Sequence, residues 1–71
     1  MMNEKEILLL RIIKKNMLIR KDELKQKLNG SSDGYEAVMS KLVSEGLVNS
    51  IDSIGSQCFA LTQKGIRALD D

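Results

Sequence analysis

The sequence predicts an α+β fold in which three helices precede a β-hairpin and a short last helix. Three observations support this class. Apolar residues recur at helical spacing in three segments of the first 45 residues. Gly46 then ends the helical pattern, and two β-like runs, residues 47–51 and 57–61, flank a turn over residues 52–56. Finally, Thr62 is placed to cap a last short helix.

The first helix is predicted over residues 3–15. Asn3 is a suitable N-cap, while Lys14 and Lys15 in the last turn complement the helix dipole. Asn16 is then expected to leave the helix in a left-handed conformation. The inward face is expected to contain Leu9, Ile12 and Ile13.

This helix has more branched aliphatic residues than a small core needs, since they occupy six of the seven positions from 7 to 13. At 100° per residue, Ile7 and Leu8 fall at the edge of the charged face or within it. Two explanations stay open, a broadly buried helix and a dimer contact. In the second case Ile7 and Leu8, together with Leu69 of the last helix, would form the dimer interface.

The middle of the chain is expected to hold a short strand and two helices. Residues 17–19 form a strand stub able to pair with the later hairpin, and residues 20–28 form the second helix. Asn29 and Gly30 end it, because both tolerate positive φ. Ser31 and Ser32 then offer N-caps to the third helix. The inward residues of these two helices are Leu24, Leu28, Tyr35, Val38, Met39 and Leu42, and in the last helix Ile66 and Leu69 are expected to dock on the core.

Composition excludes several classes of function. The 71 residues predict one domain, and the single cysteine, Cys58, excludes an intramolecular disulfide. Without histidine the usual zinc-binding sets and the usual catalytic base are absent, so we expect neither an enzyme nor a metal or other cofactor. No small-molecule ligand is evident, and Cys58 is interpreted as a small half-buried strand residue. No apolar run approaches the roughly 20 residues of a membrane span, and no signal peptide is recognisable, so a cytoplasmic location is expected.

The charge distribution is uneven although the net charge is only +1. Residues 11–27 contain seven basic and two acidic side chains, whereas residues 28–71 contain three basic and six acidic ones. The first half is therefore a candidate surface for phosphate groups. A solvated helix face is the alternative explanation.

Three segments together resemble the winged helix-turn-helix superfamily, especially small prokaryotic and archaeal transcriptional regulators of the MarR or PadR-like kind. Residues 41–48, KLVSEGLV, look like the end of a recognition helix entering the first wing strand. Residues 59–65, FALTQKG, look like the second wing strand entering the last helix, and residues 18–24, LIRKDEL, look like the start of helix 2. The resemblance covers essentially the whole chain. It implies a three-helix core with a two-stranded wing, and a transcriptional regulator that binds double-stranded DNA as a homodimer.

In this family helix 3 enters the major groove, while helix 2 and the wing hold the DNA backbone. Carried over residue by residue, the resemblance implies DNA contacts from two helices. The implied residues are Arg20, Lys21 and Lys25 around helix 2, and Ser31, Ser32, Glu36, Ala37, Ser40 and Lys41 on helix 3.

Two features depart from the family pattern. Helix 3 presents no Arg, Gln or Asn to read bases, and Asp33 and Glu36 have the wrong sign for phosphates. The wing tip, residues 52–56, has no cation for the minor groove and contains the apolar Ile54. These departures favour an alternative function, a winged-helix module that binds protein. A third possibility is non-specific architectural DNA binding through phosphate contacts alone.

Overall fold

The computed structural model describes residues 2–30, 33–53 and 55–70. Within these ranges the chain has four helices and one three-stranded antiparallel sheet, so the predicted α+β class is confirmed. The elements in chain order are α1 (Glu4–Asn16), β1 (Leu18–Arg20), α2 (Lys21–Leu28), α3 (Tyr35–Ser44), β2 (Val48–Ser53), β3 (Ser56–Leu61) and α4 (Gln63–Asp70).

The sheet has the strand order β1-β3-β2. Ile19 of β1 lies opposite Phe59 of β3, which lies opposite Ser50 of β2. The predicted pairing of the short first strand with the hairpin is therefore confirmed, with the strand starting one residue later than expected. Because β3 is central, both outer strands have one open edge among the described elements.

The two faces of the sheet have different environments. Directly opposed residues share a face, and successive residues alternate between faces. The inner face contributes Ile19 and Phe59 to the core, together with Val48. The outer face contains Leu18, which is 55% exposed, and Ile51, which is 46% exposed.

One hydrophobic cluster joins the helices to the inner face of the sheet. Its fully buried members come from α1, β1, α2, α3 and β2, namely Leu9, Leu10, Ile13, Ile19, Leu24, Leu42 and Val48. Ile12 and Val38 are only partly buried but pack against the cluster, as does Leu69 of α4. Ile66 is half-buried and lies outside the cluster, so only one of the two predicted α4 contacts forms.

The start of α1 is a capping box. The side-chain oxygen of Asn3 accepts from the Glu6 backbone N–H at 2.9 Å, and the Glu6 carboxylate accepts from the Asn3 backbone N–H at 2.9 Å. The predicted end of the helix is wrong by one residue. Asn16 stays helical, with its side-chain amide donating to the Ile12 carbonyl at 2.7 Å, and Met17 takes the positive φ of 64° instead.

The predicted start of α3 is also wrong. The helix begins at Tyr35, and its N-cap is Gly34 in the left-handed conformation with φ 74°. Ser31 and Ser32, which were expected to cap the helix, lie outside the described residues. The predicted glycine stop is confirmed, since Gly46 has φ 77° and donates to the Val43 carbonyl at 3.0 Å.

The hairpin is longer, and its turn shorter, than predicted. Pairing continues outward to Ser53 opposite Ser56, so residues 54–55 connect the strands instead of residues 52–56. Gly55 has φ 80°, which a two-residue turn commonly requires. Ile54, predicted to be exposed at the tip, lies outside the described residues. Cys58 on β3 is buried rather than half-buried.

Thr62 caps α4 as predicted and also joins it to the end of α3. Its hydroxyl accepts from the Gly65 N–H at 3.0 Å and donates to the Gly46 carbonyl at 2.6 Å. At this junction Gly65 approaches the backbone so closely that an added Cβ would lie within 3.0 Å of the Leu47 carbonyl oxygen. No described helix combines the length and the apolar character needed to cross a membrane.

Candidate nucleic-acid interface

An open groove of about 560 Å³ lies where the starts of α2 and α3 meet the tip of the β2–β3 hairpin. A second depression of about 300 Å³ lies next to it, between α3 and the hairpin strands. The two depressions share Lys21, Tyr35, Glu36 and Gln57 as lining residues, so they adjoin one another and are together called the cleft here. The cations that line the first part, called the basic groove here, are Arg20, Lys21 and Lys25.

An ion pair spans the basic groove. The Lys21 ammonium nitrogen lies 3.2 Å from a Glu36 carboxylate oxygen, and the two side chains are 45% and 70% exposed. The contact joins the first turn of α2 to the first turn of α3. It also cancels much of the field of one cation in the groove, because the opposite charge lies within hydrogen-bond distance.

The other two cations of the groove are more available. Arg20 makes only a long contact, 3.9 Å from its Nε to a carboxylate oxygen of Asp22. Lys25 and Lys27 are both exposed, and among the described residues neither forms an ion pair or a hydrogen bond. Asp22 and Glu36 also line the basic groove, so three cations against two carboxylates leave a balance of +1, which depends chiefly on Lys25 and Arg20.

The outward face of α3 contains only small or acidic residues near the groove. Glu36, Ala37 and Ser40 are all exposed, and Ser40 lines the continuation of the cleft along α3. On the hairpin strands that face α3, the side-chain amide of Gln57 donates to the Ser50 hydroxyl at 2.7 Å. The cleft therefore presents uncharged hydrogen-bonding groups beside the basic groove.

Lys41 does not join this group. Its ammonium nitrogen lies 3.3 Å from a carboxylate oxygen of Glu6 on α1. That carboxylate is almost fully buried, whereas the Lys41 side chain is 56% exposed. The Asn3 N–H and Lys41 together lower the pKa of Glu6 below its ordinary value, against the opposing effect of burial. Lys41 thus connects α3 to α1, away from the basic groove.

The structure therefore brings together only part of the DNA-contact set predicted from the sequence. Arg20, Lys21, Lys25 and Glu36 line the basic groove, Ser40 lines its continuation, and Ala37 is exposed on the same helix. Lys41 lies apart, and Ser31 and Ser32 fall outside the described residues.

The residues predicted to form a dimer interface are differently placed. Leu8 is 42% exposed and lines a shallow depression with Asn3, Glu4 and Lys5. Ile7 is half-buried, and Leu69 packs against the core. Leu8 is therefore the one large hydrophobic residue among these three that is substantially exposed.

Sequence reasoning missed the double role of Glu6, which caps α1 and pairs with Lys41. The spacing of Asn3 and Glu6 is that of a capping box and could have revealed the first role. It also missed Ser50 and Gln57 as lining residues of the cleft. No local sequence pattern predicts that Ser50 and Gln57 line the cleft, since their position depends on how α3 packs on the sheet.

Comparisons with protein-family models, curated proteins and solved structures find no match for this chain. No functional residue is therefore transferred to it from a known protein.

Proposed function

We propose that this protein is a DNA-binding transcriptional regulator of the winged helix-turn-helix type, which binds duplex DNA as a homodimer with α3 in the major groove. The observation that carries the proposal is the basic groove between α2, α3 and the hairpin. Arg20, Lys21 and Lys25 project there beside the first turn of α3, where a DNA backbone flanking an inserted helix would run.

In this arrangement α2 supplies phosphate contacts and α3 supplies contacts with base edges. Ala37 and Ser40 are small, so they permit close approach of the helix backbone to the groove floor. Serine hydroxyls donate or accept at a base edge, and a glutamate can accept from cytosine. Two such helices about one helical turn apart would read a pseudo-palindromic site, which is the geometric reason for a dimer.

Phosphate contacts then dominate the affinity. With about three cations engaged per subunit, a dimer releases about six counterions on binding. Lys21 joins this set only when DNA displaces Glu36 from it, because the pair occupies the ammonium group in the free protein. Binding is accordingly tight in dilute buffer and falls steeply with salt.

A second candidate function is a protein-binding module of the same fold. The Lys21–Glu36 and Lys41–Glu6 ion pairs favour it, since they occupy two of the cations that the sequence assigns to DNA. A protein partner would use the uncharged cleft along α3 and would depend little on Lys21 and Lys25.

A charge reversal separates the two functions. Changing Lys21 and Lys25 together to Glu should abolish binding to duplex DNA in fluorescence anisotropy and leave a protein partner's affinity nearly unchanged. The matched control changes Arg11 of α1 and Arg67 of α4 to Glu, which alters the net charge equally at two exposed positions that form no ion pair or hydrogen bond among the described residues. Equal losses for both double variants would mean that net charge, and not the basic groove, governs binding.

A further inference from the structure

The outer face of the sheet is more apolar than a solvent-facing surface requires. Leu18 on β1 and Ile51 on β2 both point outward and are 55% and 46% exposed. Between them, the central strand contributes Ala60 and Cys58 to the same face. Because Arg20 of β1 also lies on this face, opposite Cys58, the apolar side chains form a diagonal stripe from Leu18 to Ile51. This outer apolar stripe ends at the open edge of β2.

The edge of β2 carries little protection. Natural sheets blunt such edges with charged side chains, proline, a bulge or a very short strand. β2 is six residues long, regularly paired and contains neither Lys nor Pro, and its one charged residue is Asp52, next to the end of the strand. By contrast, β1 at the other edge is three residues long and ends at Arg20.

No described element covers this edge. Four successive residues of β2, from Asn49 to Asp52, are all exposed, including those whose side chains face α3. Outward-pointing backbone N–H and C=O groups of an edge strand remain available for another antiparallel strand. An antiparallel strand pair related by a two-fold axis is self-complementary, so a second copy of β2 satisfies these groups.

We propose that the homodimer forms by antiparallel pairing of β2 with β2 of a second copy, centred on Ile51. This inference rests on the homodimer of the proposed function and locates its interface. It replaces the α1 surface suggested by the sequence, where Leu8 alone is substantially exposed. The second copy extends the three-stranded sheet to six strands.

The side chains favour this register over its two neighbours. Centring the pair on Ile51 places the two Ile51 side chains side by side on the outer face, so the apolar stripe continues across the axis. It also places Ser50 opposite Asp52 of the second copy, where a hydroxyl can donate to a carboxylate. Centring on Ser50 would instead set the buried Val48 against Asp52, and centring on Asp52 would oppose two like charges.

Sedimentation velocity tests the interface. A single strand pair buries less than the roughly 800 Å² per partner of a standard interface and should associate weakly, so the protein is measured at concentrations from about 10 to about 500 µM. The wild type should dimerise with rising concentration, and Ile51→Lys should weaken dimerisation at least about tenfold. Leu18→Lys is the matched control, an equally exposed leucine on the same face but at the opposite edge. Leu8→Lys tests the α1 surface.

Amide hydrogen exchange provides a second readout on the unmodified protein. Protection of residues 49–52 should rise with protein concentration, while the amides of β1 should not respond. A wild type that stays monomeric, or an Ile51→Lys variant that dimerises like the wild type, overturns the proposal. Neither experiment contains DNA, so DNA binding by a monomeric protein would leave the basic-groove assignment standing while refuting the β2 interface.

Discussion

Replacing Glu36 by Gln should strengthen binding to duplex DNA, because it frees Lys21 for a phosphate. The Lys21–Glu36 distance of 3.2 Å corresponds to about 1.3 kcal/mol of Coulomb attraction in water. Exposed ion pairs measure about 0.2–1 kcal/mol after entropy and screening. Breaking the pair on DNA binding therefore lowers the wild-type affinity by a factor of about 1.4 to 5, and the variant avoids this loss.

Salt dependence gives this prediction a second readout. Lys21 contacts phosphate in both complexes, so the variant's advantage comes from the ion pair that only the free wild type holds. Salt screens an exposed ion pair, so the advantage should shrink as salt rises from about 50 to about 200 mM. The assay is fluorescence anisotropy of a labelled random-sequence duplex at several salt concentrations.

Glu45→Gln is the control for Glu36→Gln. Glu45 is exposed at the end of the same helix, and within the described ranges its carboxylate forms no ion pair. The change in net charge is identical, so a general charge effect would shift both variants equally. If the two variants bind alike, or if Glu36→Gln binds no more tightly than the wild type at low salt, the masking of Lys21 by Glu36 is refuted.

Three further predictions concern stability, each measured by chemical denaturation. Replacing Gly by Ala within a helix normally stabilises a protein by about 1 kcal/mol. Gly65→Ala should instead destabilise this protein by about 2 kcal/mol, because the new Cβ would collide with the Leu47 carbonyl. Met17→Gly should stabilise it by about 1 kcal/mol, since Met17 is 81% exposed and holds a φ of 64°. Glu6→Gln should be less stable than the wild type near pH 7. The Asn3 N–H and Lys41 lower the folded-state pKa of Glu6, so that difference should shrink as pH falls below about 4.5 and through the folded-state pKa. A constant difference would exclude stabilisation of the ionised Glu6 carboxylate by these two groups.

Local signals in the sequence account for most element positions. Asn3 caps α1, Gly46 ends α3 and Thr62 caps α4, because each cap depends on the chemistry of one residue and its immediate neighbours. The errors occurred where two nearby residues could perform the same role. Met17 rather than Asn16 takes the positive φ, and Gly34 serves as the N-cap of a later-starting α3.

The candidate site was less predictable because it depends on tertiary contacts. Charge counting identified the basic segment that supplies Arg20, Lys21 and Lys25, and these do line one groove. It could not reveal that Glu36 neutralises Lys21, since these residues are 15 positions apart and meet only when α2 packs beside α3. The same holds for Lys41, whose partner is on α1.

The measurement that most directly tests the central claim is the affinity of the wild-type protein for a random-sequence duplex of about 30 base pairs, at low salt and again near 0.2 M. The basic groove predicts micromolar binding in dilute buffer that collapses as salt rises. Absence of binding at low salt would contradict the DNA-binding proposal and leave the cleft along α3 as a site for a protein partner.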